Sequence, residues 1–504
     1  MSAFSDVCQL QTDMLKLLFS ERKKILRRFN RKKREIIRFN IMNKKDQYKR
    51  LFTFGSAVLL MIMLISAFGI VWYQFYSEVI MLPFYRRGNW VLIGIYTVMA
   101  SVFFKAYGGF RVGYLKRTDA FYSQMISICC VNTIAYFLIS LIGRHFMDAV
   151  PVVVLTLVDF FIIGLWTYLT GEMYFIIYPP RKLVILYGSR QAASLVMKMS
   201  TRVDKYMICE SVNINEHPDA DSVKDVIMKY EGVIICDIPP EQRNDYLKFC
   251  FENSMRAYIA PKISDIIVRG ADDIRLFDTP LLLCRNNGLT FEQRFFKRAF
   301  DIALSLPAFI VLSPLMLVLA VIIKASDGGP VLYKQCRLTI DGKKFNVLKF
   351  RSMVVDAEKN GGPQLCTEND DRITPVGKFL RKCRFDEFPQ LINVLRGDMS
   401  LVGPRPERPE LVDEYIKQMP EFEYRLRVKA GLTGYAQVTG VYDTTPYDKL
   451  KMDLMYIESY SIRNDLQIVL MTLKTMIFPT KTNEAVDPII TGGNSNQNGK
   501  EENK

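Results

Sequence analysis

Four apolar runs in the first third of the chain constrain its fold more than any other feature. They cover about 51–73, 90–105, 121–143 and 149–170. Runs of about 17–25 such residues can cross the hydrocarbon core of a bilayer, and the second run sits near the lower limit. Basic residues crowd before the first run, between the second and third (Arg111, Lys116, Arg117) and after the fourth (Arg181, Lys182). The other two loops carry fewer, Arg86, Arg87 and Arg144. The positive-inside rule then puts the N-terminus and everything after residue 170 in the cytoplasm. The basic leader is too long for a cleaved signal peptide. Asp159, inside the fourth run, reads as a polar contact between helices in preference to a functional intramembrane acid.

Composition fits a membrane protein with soluble parts. Hydrophobic residues make up 49% of the 504, charged residues 24%, and the net charge is +15. That length predicts roughly three units. Much of the excess charge lies in a leader at 1–50, with runs such as Arg22-Lys23-Lys24 and Arg31-Lys32-Lys33-Arg34. A basic cluster beside a membrane helix suits anionic lipid. Nucleic acid is disfavoured because no binding motif accompanies it. The ten cysteines lack paired CxxC spacing and read as reduced packing residues. The two histidines, His145 and His217, leave none for acid–base chemistry in the C-terminal half.

Residues 180–285 alternate strand-like runs (183–186, 206–212, 233–237, 257–260) with helical stretches, which predicts a small parallel-sheet domain. A dinucleotide fingerprint needs glycines at 188, 190 and 193, and only Gly188 is present. A structural or regulatory module is therefore favoured over nucleotide binding. The apolar run 299–323 is long enough to span. Ser313-Pro314 in its middle predicts a break, so that the helix enters the membrane and returns to the same face. The tail 481–504 has no apolar period and reads as disordered.

The densest chemistry lies between 324 and 460. Lys349, Arg351, Arg372, Lys378, Arg381, Lys382 and Arg384 lead up to the stretch RFDEFPQL at 384–391, and Gly403-Pro404-Arg405-Pro406-Glu407 follows it. An arginine between two prolines is held out on a stiff segment and offers a fork suited to phosphate. Asp386 is expected at or near a helix N-cap, with Pro389 in the first turn and Phe388, Leu391, Ile392 and Leu395 at helical spacing. A cap and an anion-binding site share that geometry. Cations converging on two carboxylates suggest a diphosphate substrate and a divalent cation such as Mg²⁺. An aspartate with a reference pKa of about 3.9 is ionised at neutral pH and can attack phosphorus without a base. Exchange of one phosphate for another is a reaction that carboxylates, cations and Mg²⁺ suffice to run. A non-catalytic membrane scaffold that senses a nucleotide is the competing reading.

From 291 to 478 the motifs resemble the bacterial sugar transferase family, the monotopic polyprenyl-phosphate phosphoglycosyl transferases. They include Lys297-Arg298…Phe300-Asp301, Leu312-Ser313-Pro314, Gly329-Pro330-Val331, Lys349–Met353, Asp371-Arg372-Ile373-Thr374, Phe385–Leu391, Gly397–Glu407 and Gly431-Leu432-Thr433-Gly434. The resemblance implies a multi-domain membrane protein. Its parts would be a basic leader (1–50), a four-helix transmembrane bundle (51–170), a degenerate Rossmann-like, CoA-binding-like α/β cytoplasmic domain (180–285), an α-rich monotopic catalytic domain (291–480) with a re-entrant helix at 299–323, and a tail. It implies transfer of a sugar 1-phosphate from a UDP-sugar to undecaprenyl phosphate at the bacterial inner membrane. Asp386 would be the nucleophile and Glu387 the Mg²⁺ ligand. Lys349, Arg351, Arg381 and Arg405 would bind phosphate, Asp453 would support the site, and Ser313 and Pro314 would break the helix. Ala430 stands where the family usually has proline. Which sugar is transferred and the oligomeric state, a homo-oligomer included, stay open.

Overall fold

The computed structural model describes residues 48–80, 83–84, 87–188, 191–216, 219–284, 288–354, 372–440 and 444–478. The basic leader up to residue 47, the tail, and Arg86, His217 and Asp371 lie outside the described residues. The chain divides into two compact units, Met1–Tyr174 and Phe175–Lys504.

Four long helices form the first unit: α1 Tyr48–Tyr76, α2 Arg87–Tyr107, α3 Arg117–Gly143 and α4 Val150–Ile177, the last running just past its edge. Each is long and apolar enough to cross a membrane. Leu64, Trp72, Tyr96, Phe104, Ile128, Val131, Leu155 and Ile163 from all four meet in one core. Polar side chains cross-link it. Trp72 Nε1 donates to Asn89 Oδ1 at 3.0 Å, and Tyr96 Oη to Asn132 Oδ1 at 2.8 Å. Asn132 Nδ2 in turn donates to Asp159 Oδ2 at 2.9 Å. Asp159 is therefore the interhelical contact expected of it.

The second unit opens with β1 Arg181–Tyr187, α5 Gln191–Ser200, β2 Tyr206–Asn213, α6 Ala220–Ile227, β3 Gly232–Cys236, α7 Pro240–Glu252, β4 Arg256–Ile259 and α8 Ile263–Arg269. The strands are parallel in the order β2-β1-β3-β4. Leu183–Leu186 are buried, as the unalternated apolar run requires of a strand covered on both faces. Gly188 has a packing reason: an added Cβ would stand 2.7 Å from the Asp237 carbonyl oxygen. A hairpin, β5 Asp272–Leu276 and β6 Thr279–Leu283, follows, with no counterpart in the sequence reading.

Helix α9, Phe291–Asp327, is longer than the expected 299–323 and is not interrupted at Ser313-Pro314; Pro307 and Pro314 both lie inside it. Pro314 cannot donate to the carbonyl four residues back, that of Ile310. The Ser313 hydroxyl takes that acceptor instead, at 2.8 Å, which lets the helix continue. Before the prolines, Phe300, Leu304, Phe309 and Leu312 pack with Val347, Leu391 and Val394. After them, Leu319 and Ile323 are buried with Phe350 and Leu380. Interleaved with those contacts, Ile310, Val311, Leu317 and Val318 are exposed.

The remainder is β7 Leu332–Leu338 and β8 Lys344–Phe350, an antiparallel pair, then α10 Pro375–Cys383, α11 Gln390–Arg396, β9 Ser400–Val402, α12 Pro409–Gln418, β10 Gly431–Thr433, α13 Tyr435–Thr439, α14 Pro446–Glu458 and α15 Ile462–Ile477. Ile263 and Ile266 of α8 share a core with Val402, Phe422, Leu450 and Leu454, so packing runs across the expected boundary near 285–291.

Candidate active site

The two acidic residues sit between helices, not on one. Helix α10 starts at Thr374, whose Oγ1 accepts from the Gly377 amide at 2.9 Å. It ends at Arg384, which takes a left-handed φ of 56°. Phe385–Glu387 then make a single 3₁₀ turn, and Pro389 precedes α11 without a side-chain cap. Asp386 is thus not the expected N-cap. The left-handed Arg384 and the pre-set φ of Pro389 force a short turn where the spacing predicted one continuous helix start. In a 3₁₀ turn successive side chains point about 120° apart, so the two acids face different ways. Phe385 and Phe388 anchor the turn with tilted rings 4.9 Å apart, packed against the cluster of Leu319, Phe350 and Leu380.

Cations surround the pair. Arg405 Nη2 donates to Glu387 Oε1 at 3.2 Å, and Lys349 Nζ, from β8, lies 3.7 Å from the same oxygen. Burial would raise the Glu387 carboxyl, but the charges of Arg405, Lys349 and Arg384 outweigh it and hold the group below its ordinary value. Burial is also the main reason Asp386 is raised, helped by the Glu387 charge and opposed by Lys349 and Arg381. Burial depresses Lys349, against the pull of Glu387. Arg381 is held by its Nε on Ser352 Oγ at 2.8 Å. Asp386, Glu387, Lys349, Arg381 and Arg405 therefore form one cluster. A carboxylate kept ionised, with both cation contacts on Oε1, is the hard oxygen donor that suits Mg²⁺ together with phosphate oxygens.

The Gly403–Glu407 segment is locked by backbone contact. Gly403 N–H donates to Thr433 O at 2.8 Å, and Gly431 N–H to Pro404 O at 2.9 Å. A Cβ on Gly403, Gly431 or Gly434 would run into the opposing backbone. Behind Arg405 stands a residue that sequence reading missed. Arg425, buried, donates through Nη2 to the Arg405 carbonyl at 2.8 Å and pairs with Asp453 at 2.8 Å. Glu407 lies between Arg337, at 3.6 Å, and Arg425, at 3.9 Å. Asp453 supports the site from this rear layer and does not line it. Arg351, just after β8, is buried, and its backbone N–H donates to Val331 O at 3.0 Å. No spacing rule links Arg425 to Asp453, 28 positions apart.

Residues 292–479 match the family model described as bacterial sugar transferase. This segment is a bacterial sugar transferase domain. Several similar curated proteins are undecaprenyl-phosphate sugar phosphotransferases by name. An Aeromonas hydrophila UDP-N-acetylgalactosamine-undecaprenyl-phosphate N-acetylgalactosaminephosphotransferase is 42% identical over 36% of this chain and 44% of its own. A Komagataeibacter xylinus undecaprenyl-phosphate glucose phosphotransferase is 31% identical over 59% of each chain. An Escherichia coli UDP-glucose:undecaprenyl-phosphate glucose-1-phosphate transferase is 39% identical over 41% and 44%. The chain spans about half the length of the curated relatives it matches.

The transferase domain's Lys-Arg…Asp motif proves to be the root of α9. Lys297 Nζ pairs with Asp465 at 2.7 Å. Arg298 donates to the carbonyls of Val394 and Leu395 at the end of α11. Asp301 accepts from Ser400 Oγ and from the Leu401 amide at 3.0 Å. At Ala430, where the family usually has proline, the amide donates to Thr339 Oγ1 at 3.2 Å, a bond proline could not make.

Proposed function

We propose that the chain transfers a sugar 1-phosphate from a UDP-sugar to undecaprenyl phosphate, releasing UMP, as the first membrane step of exopolysaccharide, capsule or O-antigen synthesis. One observation carries this reading: two adjacent carboxylates on a short turn, facing Lys349, Arg381 and Arg405. The relatives' names agree with it.

Asp386 attacks the phosphorus that bears the sugar. The bond from that phosphorus to the bridging oxygen breaks, and UMP leaves with the electron pair. UMP needs little acid help because the second pKa of a phosphate monoester is near 6. An oxygen of undecaprenyl phosphate then attacks the aspartyl phospho-sugar and restores the Asp386 carboxylate. Burial makes Asp386 more basic than a free aspartate, and so more nucleophilic once ionised. Lys349, Arg381 and Arg405 bind phosphate charge, and Arg405 is preorganised by its flanking prolines and by Arg425. Mg²⁺ held at Glu387 would offset charge on the diphosphate.

Topology follows from α9. A helix crossing the bilayer carries its ends to faces roughly 30 Å apart. Both halves of α9 pack on the same domain and leave an apolar face exposed along the helix, which supports a helix that enters lipid without carrying its C-terminal end to the far face. On this reading α1–α4 form a transmembrane bundle in the bacterial inner membrane. The Rossmann-like sheet and the transferase domain lie on its cytoplasmic face, beside anionic lipid.

The test supplies a purified membrane preparation with Mg²⁺, undecaprenyl phosphate and a panel of UDP-sugars, and measures UMP. UMP release dependent on one sugar is expected, together with sugar-phosphate retained on the protein when acceptor is withheld. Full activity in Asp386→Asn would sink the mechanism.

A further inference from the structure

The region of β1–β4 and α5–α8 has no part in the chemistry above, yet it grips α14 along one side. At the first turn of α14, Lys198 of α5 donates to Asp448 Oδ2 at 2.8 Å. Along the middle, Ile263 and Ile266 of α8 share a core with Leu450 and Leu454. At its last residue, Gly270, just beyond α8, lies so close that an added Cβ would meet first the Glu458 carboxylate and then, at 2.7 Å, the Glu458 Cβ. The carboxylate can swing aside but the Cβ cannot, so a side chain at 270 has to displace the helix end.

The opposite side of α14 serves the transferase site. Asp448 and Asp453 are five residues apart, about 140° around a helix, so they face different neighbours. Asp453 holds Arg425 at 2.8 Å, and Arg425 donates to the Arg405 carbonyl at 2.8 Å. In open parallel sheets, ligands gather at the carboxyl ends of the strands where the strand order reverses, here between β1 and β3.

We propose that the α/β region is a clamp on α14, and that Gly270 is a positioning residue whose missing side chain sets α14, Arg425 and thereby Arg405. The consequence for sugar-nucleotide binding rests on the transferase reading; the mechanical coupling does not.

The test compares full-length wild type, Gly270→Ala and Gly270→Ala/Glu458→Gly in lipid nanodiscs. The double variant removes the side chain that the new Cβ would meet. Amide exchange at Gly403, Arg405 and Glu407 should quicken in Gly270→Ala by about tenfold, the size expected of mild overpacking. KM for the UDP-sugar should rise by a similar factor with kcat nearly kept, and the double variant should recover both. Exchange in β1 and β3 should stay put, which a general loss of stability would not allow. Unchanged exchange at 403–407 in Gly270→Ala, or no recovery in the double variant, overturns the proposal. Should Gly270→Ala fail to fold, Lys198→Glu, which sets a like charge against Asp448, takes its place. A smaller quickening at 403–407 is then expected, and no change in exchange refutes the clamp. If wild type releases no UMP, the transferase reading fails while the exchange results still decide this one.

Discussion

Asp159 and Asp453 are both buried, at 0% and 2% exposure, and they keep opposite company. In the helical unit Asp159 meets the Asn132 amide, which is shared with Tyr96 and Thr156; its Oδ1 has no hydrogen-bond partner among the described residues. In the second unit Asp453 meets a guanidinium through both Nε and Nη2. Neutral amides and hydroxyls can hold helices in register without fixing a charge in space. An ion pair fixes a charge, and here it passes that placement on to Arg405. Asp159 therefore serves packing, and Asp453 serves electrostatics.

The largest test of that contrast is at the turn itself. Asp386→Asn keeps the shape and removes the nucleophile, so UMP release should fall by at least about a thousandfold with an unchanged thermal midpoint. Next, Asp453→Asn leaves the buried Arg425 without its hydrogen-bonded counter-charge and with only the more distant Glu407, at 3.9 Å. A loss of roughly 3–5 kcal/mol is expected from thermal or denaturant unfolding of the second unit, with weaker sugar-nucleotide binding beside it. A third test uses pH. Asp386 is raised above its ordinary value, so activity should be lost as pH falls through that raised pKa, above the usual aspartate range. The Arg381 charge holds it down, so Arg381→Gln should move the acid limb of the rate–pH profile further up. A limb that stays put would remove Arg381 from the Asp386 field. The smallest effect belongs to the helical unit. Asp159→Asn keeps a polar group of the same size against Asn132 and should cost no more than about 1 kcal/mol, with turnover intact. Loss of activity there would erase the distinction between the two units.

Much of this architecture was legible because burial leaves a period or a run. The apolar runs located α1–α4, whose ends extend beyond them because polar residues such as Lys49 and Arg117 continue the helices into less apolar surroundings. The strand runs located β1–β4 to within a residue or two. The site was legible as a set of residue types, and five of the residues named for it do converge. Its layering was not. Asp386 looked like a cap because Asp favours caps, but a left-handed arginine two residues earlier decided the turn. Asp453 reads as a supporting residue, but the residue it supports through, Arg425, is remote in sequence and leaves no spacing to read. The β5–β6 hairpin is exposed throughout, so it leaves no alternation of buried and exposed residues to read.

The glycines at 403, 431 and 434 bear on how this domain can be recombined. Strands β9 and β10 meet there backbone to backbone, so neither segment can vary in thickness unless the other does. A chimaera that imports 400–407 from a relative without its matching 430–434 should lose the fit, even when every phosphate-binding residue is retained. Grafts meant to change sugar preference therefore have to carry the two segments together, as one cassette separated in sequence.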